Sequence, residues 1–334
     1  MIQTDILIIG AGPCGLFTVF EAGLLKLKCH LIDALPQIGG QLSEIYPKKP
    51  IYDIPGYPSI LAGDLVKNLE EQIAPFNPTY TLGERAEKIE KTGDKEYTLT
   101  TNRGTIIKAP VIAIAGGLGC FEPRKPPIEG IADYEDRGVD YMVKDPEKFR
   151  DKKILIAGGG DSALDWTIEL AKVAAEVTLI HRRTSFRGAL DSVDKVMALA
   201  EAKKVNLYTE AQAIGVKGGD QLQEVVIKSK SLGEFSRPVD NFIPLFGLTP
   251  KLGPISEWGL NIQRSAVEVN TEDYSTNVPG IYAIGDINTY PGKLKLILCG
   301  FHEGTLMVQS AFKYIYPDQK LSFKYTTVTG VPSA

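Results

Sequence analysis

Cysteine is scarce in this chain. The 334 residues hold four, Cys14, Cys29, Cys120 and Cys299, with no Cys-x-x-Cys pair and no metal-ligand spacing. That leaves out a built-in redox dithiol and a zinc site. It fits thiols that act as small buried hydrophobes in a reducing cytoplasm. Long apolar runs are missing too. None approaches the ~20 residues of a membrane span, and the chain opens directly into a strand without a signal-peptide layout. Basic charge is not in excess: 37 Lys and Arg against 41 Asp and Glu leave a net charge of −4, which argues against a general nucleic-acid binder. No acid, nucleophile or metal-ligand constellation stands out, so neither a catalytic side chain nor a metal is expected.

Hydrophobic content of 43% and charged content of 23% are those of a globular protein, and the length allows about two domains. Two stretches organise it. Residues 153–157 read as a short buried strand, Gly158, Gly159 and Gly160 follow at once, and 162–171 carry a helical pattern. Strand, glycine turn and helix begin a βαβ unit that binds a dinucleotide, with Asp161 and Ser162 opening the helix and Ala163 at the last fingerprint position. The glycines let the chain turn tightly and let a pyrophosphate reach the N–H groups of the helix. Residues 5–15 repeat the arrangement with Gly10, Gly12, Pro13, Cys14 and Gly15.

In both copies the next strand ends 23 positions after the first glycine, at Asp33 and at His181. A carboxylate at Asp33 can accept from a ribose hydroxyl. His181, Arg182 and Arg183, with Arg187 close behind, suit a 2′-phosphate and therefore NADPH. The predicted class is α/β with two Rossmann-like domains. The first is discontinuous, over 1–116 and 244–334, and the second spans 117–243. Further expectations are a helix over 61–75, a hairpin over 97–107, strands at 111–115, 205–209, 222–230 and 280–284, and a helix over 301–316. FEPRKPPIEG and NFIPLFGLTPKLG, rich in proline and glycine, are expected as the linkers.

The two fingerprints, with AIAGG at 113–117 and YAIGD at 282–286, resemble the two-dinucleotide-domain flavoproteins. Length places the likeness in the thioredoxin-reductase branch. There, Met142 and Asp145 stand where that branch has its two redox cysteines. IGGQLSEIYPKKPIYD, GGGDSALDW and HRRTSFR then resemble ferredoxin–NADP reductases of the thioredoxin-reductase type. Two departures are Asp33, where the family has glutamate, and the tail aromatic Tyr325.

The resemblance implies FAD in the first domain and NADP(H) in the second, with electrons passed singly to ferredoxin or flavodoxin after hydride transfer to the flavin. It implies flavin contacts at Gln41, Tyr46, Ala86, Phe121, Asp286 and Thr327, with Tyr46 and Tyr325 stacking on the ring. It further implies a cytoplasmic homodimer whose tail, Tyr325 to Thr327, covers the partner's flavin. Lys48, Lys49, Lys293, Lys295 and Lys324 are candidates for a basic docking surface. Two rival functions are a disulfide reductase that borrows a partner's dithiol and a non-catalytic NADPH-sensing flavoprotein.

Overall fold

The computed structural model describes residues 1–119, 122–249, 251–321 and 326–331. The chain forms two compact units, Met1–Cys120 with Pro250–Ala334, and Phe121–Thr249.

The first unit is built on a parallel sheet of five strands, in the order Ile281–Ala283, Val111–Ile114, Ile6–Ile9, Cys29–Asp33, Thr79–Leu82. One edge strand, Thr79–Leu82, is polar and partly exposed, whereas the other four are largely apolar and buried because both faces are covered. Alternation sorts them: Ile6, Ile8, Leu31 and Ala113 face one core, while Leu7, Ile9, Ile32 and Ile112 face the other. The first core is closed by the helices Pro13–Leu24, Ala62–Ile73 and Ile297–Ile315. Ala62–Ile73 buries positions 62, 65, 66, 69 and 73, the spacing of one helical face. The second core lies under an antiparallel set that includes the expected hairpin, Glu96–Thr101 with Ile106–Ala109. The last long helix begins at Ile297, four residues before the expected 301. Its N-cap is Leu296, whose side chain makes no cap bond, so nothing in the sequence marks the start.

The second unit holds a parallel sheet in the order Asn206–Thr209, Glu176–His181, Lys153–Gly158, Asn241–Leu245. Leu155, Ala157 and Phe242 pack on Val225 and Ile227 of a three-stranded antiparallel sheet. Two of its strands, Ala211–Gly218 and Gly233–Pro238, were not among the sequence expectations.

One expectation is corrected. NFIPL is not linker but the buried strand Asn241–Leu245, paired in parallel with Lys153–Gly158. Pro244 is tolerated because this is an edge strand, where a missing N–H breaks no ladder bond. A domain division at 243/244 would cut that strand; the unit ends at Thr249 instead, and the other division falls after Cys120 rather than after residue 116. The segments that enter and leave the second unit pair with each other, Glu122–Pro123 against Leu248–Thr249.

Candidate functional site

In each parallel sheet the chain winds away from the strand carrying the glycine turn on one side and returns later on its other side, so the strand order reverses there. Ile6–Ile9 lies between Cys29–Asp33 and Val111–Ile114, and Lys153–Gly158 lies between Glu176–His181 and Asn241–Leu245. Open α/β sheets bind ligands in the crevice at such a switch point, beyond the carboxyl ends of the strands.

The glycines divide into two kinds. A Cβ on Gly10, whose φ is +110°, would strike the Ala115 carbonyl, and one on Gly15 would strike the Gly10 carbonyl. These two permit close packing of turn, helix and neighbouring strand. A Cβ on Gly12 would meet nothing within 4 Å. Gly12 is the N-cap of Pro13–Leu24, which has no side-chain cap and no acid in its first turn. Bare N–H groups beneath open space fit a pyrophosphate. The second copy repeats the steric pattern, although its helix carries Asp161 in the first turn. A Cβ on Gly158 would come within 2.6 Å of the Ala163 Cβ, and one on Gly160 would meet nothing.

Around the first turn, the Asp33 carboxylate accepts the Ala11 N–H at 2.8 Å and the Leu35 N–H at 2.9 Å, and burial raises its pKa. Each oxygen keeps a lone pair for a ribose hydroxyl. Gly39 donates to the Ala11 carbonyl at 2.7 Å, which brings the 37–46 loop onto the turn. Gln41 then lies beside Gly117. Tyr46 is half-buried, with the Lys49 ammonium 5.8 Å from its ring centre. Burial, with the Asp286 and Asp53 charges behind it, pushes the Tyr46 phenol up to about 12. Asp286 is itself raised by burial, with Lys295 and Lys293 acting the other way. Gln41, Tyr46 and Asp286 thus gather on the Gly10–Gly15 side of the first unit. Ala86 is buried in the second core, at a register shift in its strand. Thr327 is exposed in the short helix Thr326–Thr329. Phe121, Lys324 and Tyr325 lie outside the described residues.

Cys14 packs its sulfur against Gly285 and Gly300. Burial, reinforced by Asp286 and Glu303, pushes the thiol up to about 12, so it is no thiolate at neutral pH. Cys14, Cys29 and Cys299 are all free. Asp145 caps the turn Pro146–Phe149, accepting the Glu147 N–H at 3.2 Å.

In the second unit Arg182, Arg183 and Arg187 are exposed, and among the described residues none of their guanidinium groups has a carboxylate partner. His181 differs. It is buried, its ring lies where a Cβ on Gly159 would be, it stacks on Phe186, and Nε2 bonds the Ser185 carbonyl at 3.0 Å. Burial lowers its pKa, so the ring is neutral at pH 7 and anchors the arginine loop rather than adding charge to it. The Arg187 N–H bonds the Gly159 carbonyl at 2.8 Å, and Asp161 accepts the Ala189 N–H at 2.7 Å, closing that loop onto the glycine turn. Ser162 is exposed in the first turn of the helix.

Sequence reasoning overlooked Glu303. It is fully buried on the apolar face of Ile297–Ile315, four residues before Met307. A lone carboxylate within that face was the available signal. Its Oε2 accepts Gly285 N–H at 2.6 Å and Asn288 Nδ2 at 2.8 Å. Its Oε1 accepts the Tyr290 hydroxyl at 2.9 Å and the Lys293 ammonium. The lysine side chain is 6% exposed and the glutamate 0%. Lys293 is therefore no docking lysine: the buried carboxylate draws its charge inward. Lys48 and Lys295 remain at the surface.

The family model for pyridine nucleotide-disulphide oxidoreductases matches residues 4–304. Ferredoxin–NADP reductase 2 of Christiangramia forsetii is 68% identical, over 99% of this chain and 94% of its own. The ferredoxin–NADP reductase of Flavobacterium johnsoniae is 66% identical, over 99% and 95%. Among solved structures, Lactococcus lactis thioredoxin reductase superposes with a TM-score of 0.80 at 26% identity, covering 94% of this chain and 99% of that one. The thioredoxin reductase of T. acidophilum shares the fold, with a TM-score of 0.81 at 22% identity over 94% and 99%. The chain belongs to the pyridine nucleotide-disulphide oxidoreductase family and, within it, to the ferredoxin–NADP reductases.

Proposed function

We propose that this protein is an FAD enzyme that passes electrons between NADP(H) and ferredoxin or flavodoxin. The observation that carries the reading is the full-length identity to ferredoxin–NADP reductases. Two glycine turns of one design, one followed by a carboxylate and the other by three arginines without a carboxylate partner among the described residues, support it. Bound FAD supplies the exchange between two-electron and one-electron chemistry. The chain supplies grip and orientation. The Gly10–Gly15 turn holds the FAD pyrophosphate, Asp33 the ribose, Gln41 and Asp286 the polar edge, Tyr46 a stacking face, and Ala86 and Phe121 flank the cofactor. The Gly158–Ser162 turn holds the NADP(H) pyrophosphate, while Arg182, Arg183 and Arg187 read the 2′-phosphate. Tyr325 and Thr327 cover the flavin of a second copy in a homodimer. Exposed Lys48 and Lys295 belong to the surface that meets an acidic partner protein. Free thiols suit a cytoplasmic setting, and no helix among the described residues is long and apolar enough to cross a membrane.

Anaerobic titration tests the reading. NADPH should bleach the flavin absorbance of the purified protein and oxidised ferredoxin should restore it; bleaching that ferredoxin does not reverse overturns the acceptor. With Met142 and Asp145 in place of a dithiol, thioredoxin should not be reduced.

A further inference from the structure

One buried carboxylate organises the turn that carries Asp286. All four donors to Glu303 lie between Gly285 and Lys293, so a single side chain on the Ile297–Ile315 helix gathers that whole loop. Both carboxylate oxygens are bonded twice. Gly285 is the residue before Asp286, so Glu303 anchors the backbone immediately ahead of Asp286.

Stability does not account for the arrangement. A buried ion pair is often matched or surpassed by apolar residues of the same shape, while removal of one partner strands a charge. Lys293 and Glu303 are buried at 6% and 0% exposure among apolar neighbours, and here a charge acts at longer range than at the surface. The ammonium acts on both Cys14 and Asp286, as the Glu303 carboxylate does with opposite sign.

We propose that Glu303 is the positioning residue of the flavin site and Lys293 its buried counter-charge: the pair holds the Gly285–Asp286 turn and sets the net charge that the flavin meets there. This rests on the assignment of FAD to the first unit. Reduced flavin carries more negative charge than oxidised flavin. Loss of a nearby carboxylate therefore favours the reduced form, and loss of a nearby ammonium disfavours it. A purely structural pair would do neither, because deletion would weaken both redox forms alike.

The test uses the full-length holoprotein and three variants, Glu303→Gln, Lys293→Met and the double variant. The readouts are the midpoint potential of the bound flavin at alkaline pH and the FAD dissociation constant of the stripped protein. Glu303→Gln should raise the preference for reduced over oxidised flavin by about tenfold, ~30 mV for a two-electron couple. Lys293→Met should shift it the other way, and the double variant should return near the parent. Singles that shift in the same direction, or not at all, overturn the inference. If Lys293→Met does not fold, Glu303→Gln decides alone: an upward shift supports the inference, and none or a downward one overturns it. A parent protein that binds no FAD would instead overturn the cofactor assignment.

Discussion

The two glycine turns share their packed and open positions, yet they are closed in different ways. In the first, the residue at the end of the neighbouring strand, Asp33, turns its own carboxylate onto the turn. In the second, His181 is buried beneath Gly159 as a neutral wedge, and the closing carboxylate is Asp161, from the helix itself. The three arginines that follow have no carboxylate partner among the described residues. The open position over each turn is thus a backbone property that can be duplicated, because it depends on steric clearance. The side chains differ: in the first copy Asp33 itself bonds the turn, and in the second Asp161 bonds the arginine loop at Ala189.

The largest expected effect comes from erasing the charge difference. Replacing Arg182 and Arg183 by alanine should raise the KM for NADPH by about two decades or more, at one to two decades per charge-assisted contact. The KM for NADH should change far less. Steady-state kinetics with both coenzymes check this, and equal losses would mean that the arginines do not read the phosphate.

A smaller effect should separate the packed glycine from the open one. Gly10→Ala places a Cβ at φ +110° against the Ala115 carbonyl, and should cost roughly 2–4 kcal/mol in the unfolding of the FAD-free protein. Gly12→Val, at φ −73° with open space beyond, should leave that unfolding nearly unchanged and weaken FAD by about tenfold, ~1.4 kcal/mol. Unfolding melts and FAD titrations on both variants decide. Similar behaviour of the two would remove the distinction.

The smallest effect concerns the buried histidines in the second strand of each parallel sheet. His30 bonds Thr79 at 2.7 Å and Thr81 at 2.9 Å, and burial lowers its pKa below the usual 6.5. The folded state therefore favours the neutral ring. Its contribution to stability is complete above pH 6.5 and declines as pH falls towards the lowered folded value. Thermal melts between neutral and mildly acidic pH should show a shallower decline in His30→Gln than in the parent; parallel declines would remove His30 as a cause.

Residues that act through spacing were readable from sequence. Gly10 to Asp33 and Gly158 to His181 fall at fixed distances because strand, turn and helix lengths fix them. The Ala62–Ile73 helix was readable because its apolar positions recur on one face. Asn241–Leu245 was not, because Pro244 signals a loop unless the strand is known to be an edge, and edge status belongs to the assembled sheet. The exposure of Lys293 was misread because its partner Glu303 comes from another element and meets it only after folding. The sequence placed His181 with the arginines that suit a 2′-phosphate, but its burial under Gly159 follows only from the fold.

The place of Ile281–Ala283 beside Val111–Ile114 has a consequence for biosynthesis. As the chain leaves the ribosome, the first unit has four of its five parallel strands by residue 114, but its edge strand follows more than 160 residues later. The second unit is continuous, from Phe121 to Thr249, and its ends pair with each other. It can complete its own fold while the first sheet still exposes the open edge of Val111–Ile114, a backbone row prone to pairing with a neighbouring chain. Translation speed across residues 121–280 should therefore govern soluble yield more than translation of either end.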